Sequence, residues 1–218
     1  MIDEILPDKV RSSEAFHDPA GVMLFPEEAA LISKAVAKRR HEFTTVRHCA
    51  REALAALGLP PSPILPGERG APGWPDGIVG SMTHCAGYRA AVVAHHTDLA
   101  SIGIDAEPNA PLPEGVLDAI ARPEEKDRLR RLPGSPHPAN WDRLLFSAKE
   151  SVYKTWFPLT RAWLDFEDAS IELHPATATF HARLLVDTPA TADRPLREFH
   201  GRWLANRDLV ITAIAYPG

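Results

Sequence analysis

The sequence predicts a mixed α/β or α+β fold arranged as two lobes, and three observations predict it. Apolar patterning runs helix, short strands, helix, then a series of strands, so both element types share one chain. Pro108, Pro111 and Pro113 punctuate the middle and divide 1–108 from 109–218. The 218 residues are 44% apolar and 24% charged, which supports a sizeable core and excludes a disordered chain. Composition alone does not choose between α/β and α+β.

Taken in order, residues 1–26 have few periodic apolar positions and read as an irregular arm. Pro26 with Glu27 and Glu28 forms a helix start, proline first and acids in the first turn. The helix extends to Leu57 and stops at Gly58, or divides into two near Glu42–Thr45. Residues 60–77 carry six of the chain's 21 prolines and read as a rigid loop. Arg89–His95 and Leu99–Asp105 are apolar runs separated by His96, Thr97 and Asp98, a plausible hairpin. Pro123–Leu132 is a short helix, and Trp141–Phe157 a long one closed by Pro158. The tail reads as a meander of Ala169–His174, Thr179–Asp187, Glu198–Ala205 and Leu209–Tyr216.

Several function classes fall away early. Net charge is −5, so the basic footprint of a general nucleic-acid binder is missing, and any anion site must be local. Uncharged stretches are too short to span a bilayer. The acidic N-terminus lacks a signal-peptide pattern, and two cysteines are too few for a disulfide scaffold; a reducing cytoplasm is expected. His48-Cys49 and His84-Cys85 lack zinc-site spacing, no GxSxG elbow exists, and His95-His96 reads as polar surface.

Four groups of residues could carry chemistry. Asp105 and Glu107 stand two apart, so an extended chain puts both carboxylates on one face. They are either a Mg²⁺ site or a solvated strand end. Glu150 shares a helix face with Phe146, Tyr153 and Phe157, opposite an apolar stripe of Trp141, Leu144, Leu145, Ala148, Val152 and Trp156. That is either a carboxylate in a cleft wall, desolvated into a better base, or half of an exposed Glu150–Lys154 pair. Lys34, Lys38, Arg39, Arg40, Arg47 and Arg51 form a basic helix, with Arg40, Arg47 and Arg51 on one face. It is an anion site, a solvated face or a dock for an acidic partner. Thr83 and His84 in GSMTHCAGY could offer a hydroxyl and an imidazole to a phosphate, or serve structure alone.

The string Ile102-Gly103-Ile104-Asp105-Ala106-Glu107, followed by Phe146-Ser147-Ala148-Lys149-Glu150-Ser151-Val152-Tyr153-Lys154, resembles the paired signature of the 4′-phosphopantetheinyl transferases. The patterns are (I/V)G(I/V)DxE and (F/W)SxKES/AxxK, and the pair in this order is highly specific. The resemblance runs from about Leu24 to about Phe166, and the length is similar to the larger surfactin-type enzymes, in an enterobactin-associated, actinobacterial-like branch. It implies two similar lobes related by a pseudo-twofold axis, with coenzyme A in the cleft between them. It also implies transfer of phosphopantetheine to a serine of apo acyl, peptidyl or aryl carrier proteins. A two-lobed chain needs no partner to complete its site, so a monomer is expected, although the sequence does not fix the oligomeric state. By this resemblance Asp105, Glu107 and Glu150 hold Mg²⁺ (or Mn²⁺), and Glu150 is the base. Lys154 stabilises phosphate charge with help from Lys149. Arg39, Arg47 and His84 clamp the 3′-phosphate, with Arg40 in place of Arg39 if the register slips by one. Thr83 donates to a phosphate, and Arg69 is the one basic candidate from the loop before Gly80. Two other readings stand beside this one: a Mg²⁺-dependent nucleotide phosphohydrolase and a non-catalytic module docking acidic proteins.

Overall fold

The computed structural model describes residues 1–132, 139–189, 192 and 195–218. After a short 3₁₀ turn at Ile2–Ile5 come β1 (Arg11–Ala15), α1 (Pro26–Leu31) and α2 (Ala37–Ala55). Then follow β2 (Ile78–Cys85), β3 (Tyr88–His95), β4 (Leu99–Pro108), α3 (Val116–Ile120) and α4 (Pro123–Arg131). The chain closes with α5 (Trp141–Thr160), β5 (Ala169–His174), β6 (Thr179–Leu184), β7 (Glu198–Ala205) and β8 (Leu209–Pro217). The strands form two antiparallel sheets, ordered β1-β3-β2 and β4-β8-β7-β6-β5, so the fold is α+β.

Alternation along β3 explains how these sheets stack. Ala91 and Val93 pack on Cys49, Ala50, Ala53 and Leu54 of α2, while Ala90, Val92 and Ala94 face the other way. That second face meets Ile102, Ile104 and Ala106 of β4 and Leu209, Ile211 and Ala213 of β8. On the far side of the second sheet, Leu144, Leu145, Ala148, Val152 and Trp156 of α5 pack on Phe180, Phe199, Val210 and Ile214. The layers therefore run α2, first sheet, second sheet, α5, and Ala90–Ala94 of β3 is an unbroken apolar run because both faces of the strand are covered.

The two sheets are joined where β2 lies along β4. Ser81 Oγ accepts from the Ile104 amide at 3.1 Å, and Thr83 Oγ1 accepts from the Ala106 amide at 3.0 Å. Residue 81 meets 104 and 83 meets 106, so the strands run parallel with hydroxyls standing where carbonyls would be. Glycine at 103 lets α5 close on β4, since a Cβ there would collide with Ser151 O and Thr155 Oγ1.

Several expectations change. Residues 1–26 are not wholly irregular: Arg11–Ala15 is an edge strand, hidden in the sequence by its polar residues. The early helix does break, but after Leu31 rather than near Glu42–Thr45, and it ends at Ala55 with Gly58 at φ +79°. Arg89–His95 and Leu99–Asp105 are strands but not a hairpin with each other; β3 pairs with β1 and β2, and β4 with β8. The hairpin is instead β2–β3, turning at Ala86 and Gly87, and Ile78–Cys85 is a strand the sequence reading did not assign. Helix α5 continues past Pro158 to Thr160, and Arg161 in the left-handed region (φ 56°) ends it. The loop 60–77 and the strands of the meander are as expected, β6 ending earlier, at Leu184.

Candidate active site

Helix α2, strand β2, the proline-rich loop and α5 enclose a cleft of about 900 Å³. Arg39, Arg47, His84, Glu150 and Lys154 all border it, so residues far apart in sequence are brought together. Arg69 reaches the same wall, its guanidinium 5.3 Å from the Trp163 ring centroid.

The basic wall begins with Arg39, whose Nη1 donates to His84 Nε2 at 2.9 Å. Accepting there leaves His84 neutral with its proton on Nδ1, 3.8 Å from Glu42 Oε2. Desolvation pushes the His84 pKa below its ordinary value; Glu42 opposes this, while Arg39 and Lys154 reinforce it. Arg47 is held more firmly. Its Nε donates to Ile64 O at 3.0 Å, it lies over the Phe43 ring at 3.2 Å, and burial brings its pKa down to about 10. Behind it sits buried Glu28, which accepts from Arg51 at 3.0 Å and from the Ile64 amide at 2.9 Å. Arg51 is therefore a brace for the loop, and Arg40 is exposed and does not border the cleft. Of the two register alternatives, the structure brings Arg39 to the site.

The acidic side is set by β4 and α5. Asp105 is 5% exposed; its Oδ1 accepts from Lys154 Nζ at 2.7 Å, and its Oδ2 is buried with no partner. Lys154 also donates to Ile104 O at 3.1 Å. Glu107 accepts from Arg143 at 3.0 Å, and burial, then the Asp105 charge, raise its pKa. Glu150 has a raised pKa for the same leading reason, desolvation, against a smaller pull from Lys154. A buried carboxylate oxygen without a partner, with the Glu107 and Glu150 carboxylates acting electrostatically on the same group, fits a hard divalent cation. The three carboxylates are not within 4.8 Å of one another; among the described residues only His181, Glu198 and His200 meet that distance. Lys154 and Arg143 hold Asp105 and Glu107 in the meantime.

Two expected phosphate contacts lie elsewhere. Lys149 is 3% exposed and turned into the protein, 3.0 Å from Glu125, donating to Phe166 O at 2.6 Å and Ala169 O at 2.8 Å. Thr83 is buried, its hydroxyl spent on β4 and 3.4 Å from Asp105 Oδ1. Of the aromatic face, Tyr153 and Phe157 border the cleft, whereas Phe146 packs on Phe166 at 5.9 Å. Arg143 went unassigned in the sequence, although it precedes Glu150 by seven residues and so shares its face of α5.

The class these features define is matched by comparison with known proteins. Residues 27–94 match the 4′-phosphopantetheinyl transferase N-terminal domain, and residues 101–212 match the 4′-phosphopantetheinyl transferase superfamily. The chain belongs to the 4′-phosphopantetheinyl transferase superfamily, and it is an enzyme that takes coenzyme A as substrate. It is 56% identical to 4′-phosphopantetheinyl transferase Svp of Streptomyces mobaraensis, over 99% of this chain and 89% of that protein. It is 51% identical to 4′-phosphopantetheinyl transferase PptT of Mycobacterium tuberculosis, over 98% of this chain and 97% of that protein. Enterobactin synthase component D of Salmonella typhi is 30% identical, over 82% of this chain and 72% of that protein. Membership in this family displaces the phosphohydrolase and docking-module readings.

Proposed function

We propose that the chain moves the 4′-phosphopantetheine arm of coenzyme A onto a serine hydroxyl of an apo acyl, peptidyl or aryl carrier protein, releasing adenosine 3′,5′-bisphosphate. The observation that carries this assignment is the lining of one cleft by both Arg39–His84 and Glu150–Lys154. The first pair suits a phosphate monoester, because guanidinium and imidazole can both donate to its oxygens. Arg47 adds fixed charge behind them. Glu150 takes the serine proton as Oγ attacks the phosphorus bearing the pantetheine arm. The new O–P bond forms while the bond from that phosphorus to the bridging oxygen breaks, and the bisphosphate leaves. Lys154 faces the charge that develops there. Asp105, Glu107 and Glu150 would hold Mg²⁺, or Mn²⁺ in its place, whose positive charge would offset that of the pyrophosphate.

The two lobes exchange in the turn His96–Asp98 rather than after residue 108, a proposal supported by the pairing of β4 with β8 and by the family matches ending at 94 and resuming at 101. Among the described residues no helix is long and apolar enough to cross a membrane. We take the enzyme to act in the cytoplasm as a monomer, since residues of a single chain line the cleft.

The test is intact mass of an apo carrier protein incubated with the enzyme, coenzyme A and Mg²⁺. One phosphopantetheine added per carrier, abolished by chelator, is expected. Cleavage of coenzyme A with the carrier left unmodified would reject the assignment.

A further inference from the structure

Beyond the cleft, part of one face of the second sheet is left uncovered by the described residues. The first sheet and the N-terminal turn pack on β4, β8 and the Leu204 end of β7, and the same face continues over β5, β6 and the rest of β7 as exposed Glu172, His174, Glu198, His200 and Arg202, with half-buried His181 among them. His181 and His200 are directly paired across β6 and β7, their rings stacked at 4.9 Å and 20°. Glu198, two residues before His200, spans both imidazoles: Oε2 is 2.9 Å from His181 Nε2 and Oε1 is 3.6 Å from His200 Nε2. Ligand atoms of all three lie within 4.8 Å of one another. Glu172 is paired across from His181 on β5, and a groove of about 550 Å³ runs over Glu172, His174, His181 and His200. Arg183, across from Glu198, and Arg202, beside the groove, are the nearby cations.

We propose that His181, Glu198 and His200 form a surface site for one borderline divalent transition ion, Zn²⁺ in the first instance. Two imidazole nitrogens select against Mg²⁺, which prefers oxygen, and suit Zn²⁺, Cu²⁺ or Ni²⁺. Zinc–nitrogen bonds of about 2.0–2.1 Å require the Nε2 atoms to close on a shared centre, a change that side-chain torsions on an exposed face can supply. Three protein ligands leave a position for water or for the Glu172 carboxylate. None of the three borders the coenzyme A cleft, so the site is separate from the transfer chemistry. Its effect is a clip between β6 and β7 that stabilises the folded chain by mass action.

The experiment uses untagged full-length protein, stripped of metal and then held in excess Mg²⁺, titrated with zinc by calorimetry against a competing chelator. One equivalent of zinc, with displaced His181 and His200 ring-proton signals, is expected. His181→Ala combined with His200→Ala should abolish that equivalent. Glu198→Gln should weaken it about tenfold or more, at least the loss seen when a supporting partner of a metal ligand is removed. Asp105→Asn should retain it, which separates this site from the cleft. No zinc bound by the parent, an equivalent that survives the double histidine variant, or one lost with Asp105→Asn would overturn the proposal.

Discussion

At the scale of the residue, Glu150 and its neighbour Lys149 show how much one position decides. They differ by about 100° around α5, enough to aim one carboxylate into the cleft and bury one ammonium against Glu125. Glu150→Gln keeps the shape and removes the base, so kcat should fall about 10²–10⁴-fold while coenzyme A affinity changes little. Steady-state kinetics on an apo carrier protein, with binding measured separately, checks both. Burial raises the Glu150 pKa in the metal-free protein, and a divalent cation on the same carboxylate would lower it. The deprotonated form is the active one, so the acid limb of activity should move to lower pH as Mg²⁺ is raised. A kcat/KM profile whose acid limb stays fixed as Mg²⁺ is varied would contradict that. Neutral His84 carries a second pH effect. A bound phosphate favours its protonated form, so coenzyme A should bind with proton uptake and more tightly as pH falls, until its own phosphate protonates. Calorimetry in buffers of different ionisation enthalpy reads that uptake, and dephospho-coenzyme A should show none. Arg39→Ala should cost coenzyme A about 10–150-fold in affinity, corresponding to about 1.5–3 kcal/mol for a charge-assisted contact, and dephospho-coenzyme A far less. Arg47 is a poorer probe, because its bond to Ile64 O also holds the loop and it packs over Phe43 of its own helix.

At the scale of the element, the pairing of α5 with β4 carries the site, and Gly103 is where they touch. Gly103→Ala forces the helix off the strand that bears Asp105. Stability should drop by about 3 kcal/mol or more, and metal-dependent activity should fall out of proportion to the folded fraction. Urea unfolding alongside activity per folded molecule tests this. The buried pair of α5 with α4 makes a contrasting prediction. Lys149→Met leaves the Glu125 carboxylate buried with only the Arg122 and Ile171 amides, at 2.8 and 2.6 Å, to accept from. Breaking such a pair costs about 3–5 kcal/mol, visible as a lower urea midpoint with coenzyme A affinity unchanged.

The elements also show what the sequence could tell. Helix α5 and the strands of the tail carry strong periodicity, and Pro26, Pro123 and Gly58 mark ends through local stereochemistry, so these were legible. β1 was not, because RSSEA at a sheet edge buries little and has no apolar signature. The partner of β3 was not legible either. Strand pairing depends on contacts distant in sequence, and two adjacent apolar runs look like a hairpin whether or not they join different sheets. Site residues divide differently: type and spacing singled out the two acidic motifs and a basic helix but put Arg40, Arg47 and Arg51 on one face, whereas Arg39, Arg47 and His84, which line one cleft, were grouped only by the family resemblance. The diversion of Thr83 to β4 and of Lys149 to Glu125 required knowing which strand lies alongside.

At the scale of the whole molecule, the cleft is assembled from α2 of the early chain and α5 of the late chain, so a ligand there reports on both. Coenzyme A at about a hundred times its Kd adds about 2.7 kcal/mol, which for a chain of this size raises Tm by about 5–10 °C. The shift should appear as one transition moving intact. Calorimetry showing only one of two resolved transitions displaced would place the binding within a single lobe.

The hydroxyl seam between β2 and β4 has a bearing on how such a molecule can change over time. Where two sheets are fused by main-chain bonds, their mutual pitch is fixed by geometry that no substitution can edit one position at a time. Here the splice is written in side chains, Ser81 and Thr83, against the amides of Ile104 and Ala106. Shortening, lengthening or removing a hydroxyl alters the splice while both ladders stay whole. Because α2 rides on one sheet and α5 on the other, each such edit would re-space the two helices that border the cleft. The width of the bite is thus heritable separately from the fold, in two codons, and selection can adjust it without rebuilding either half.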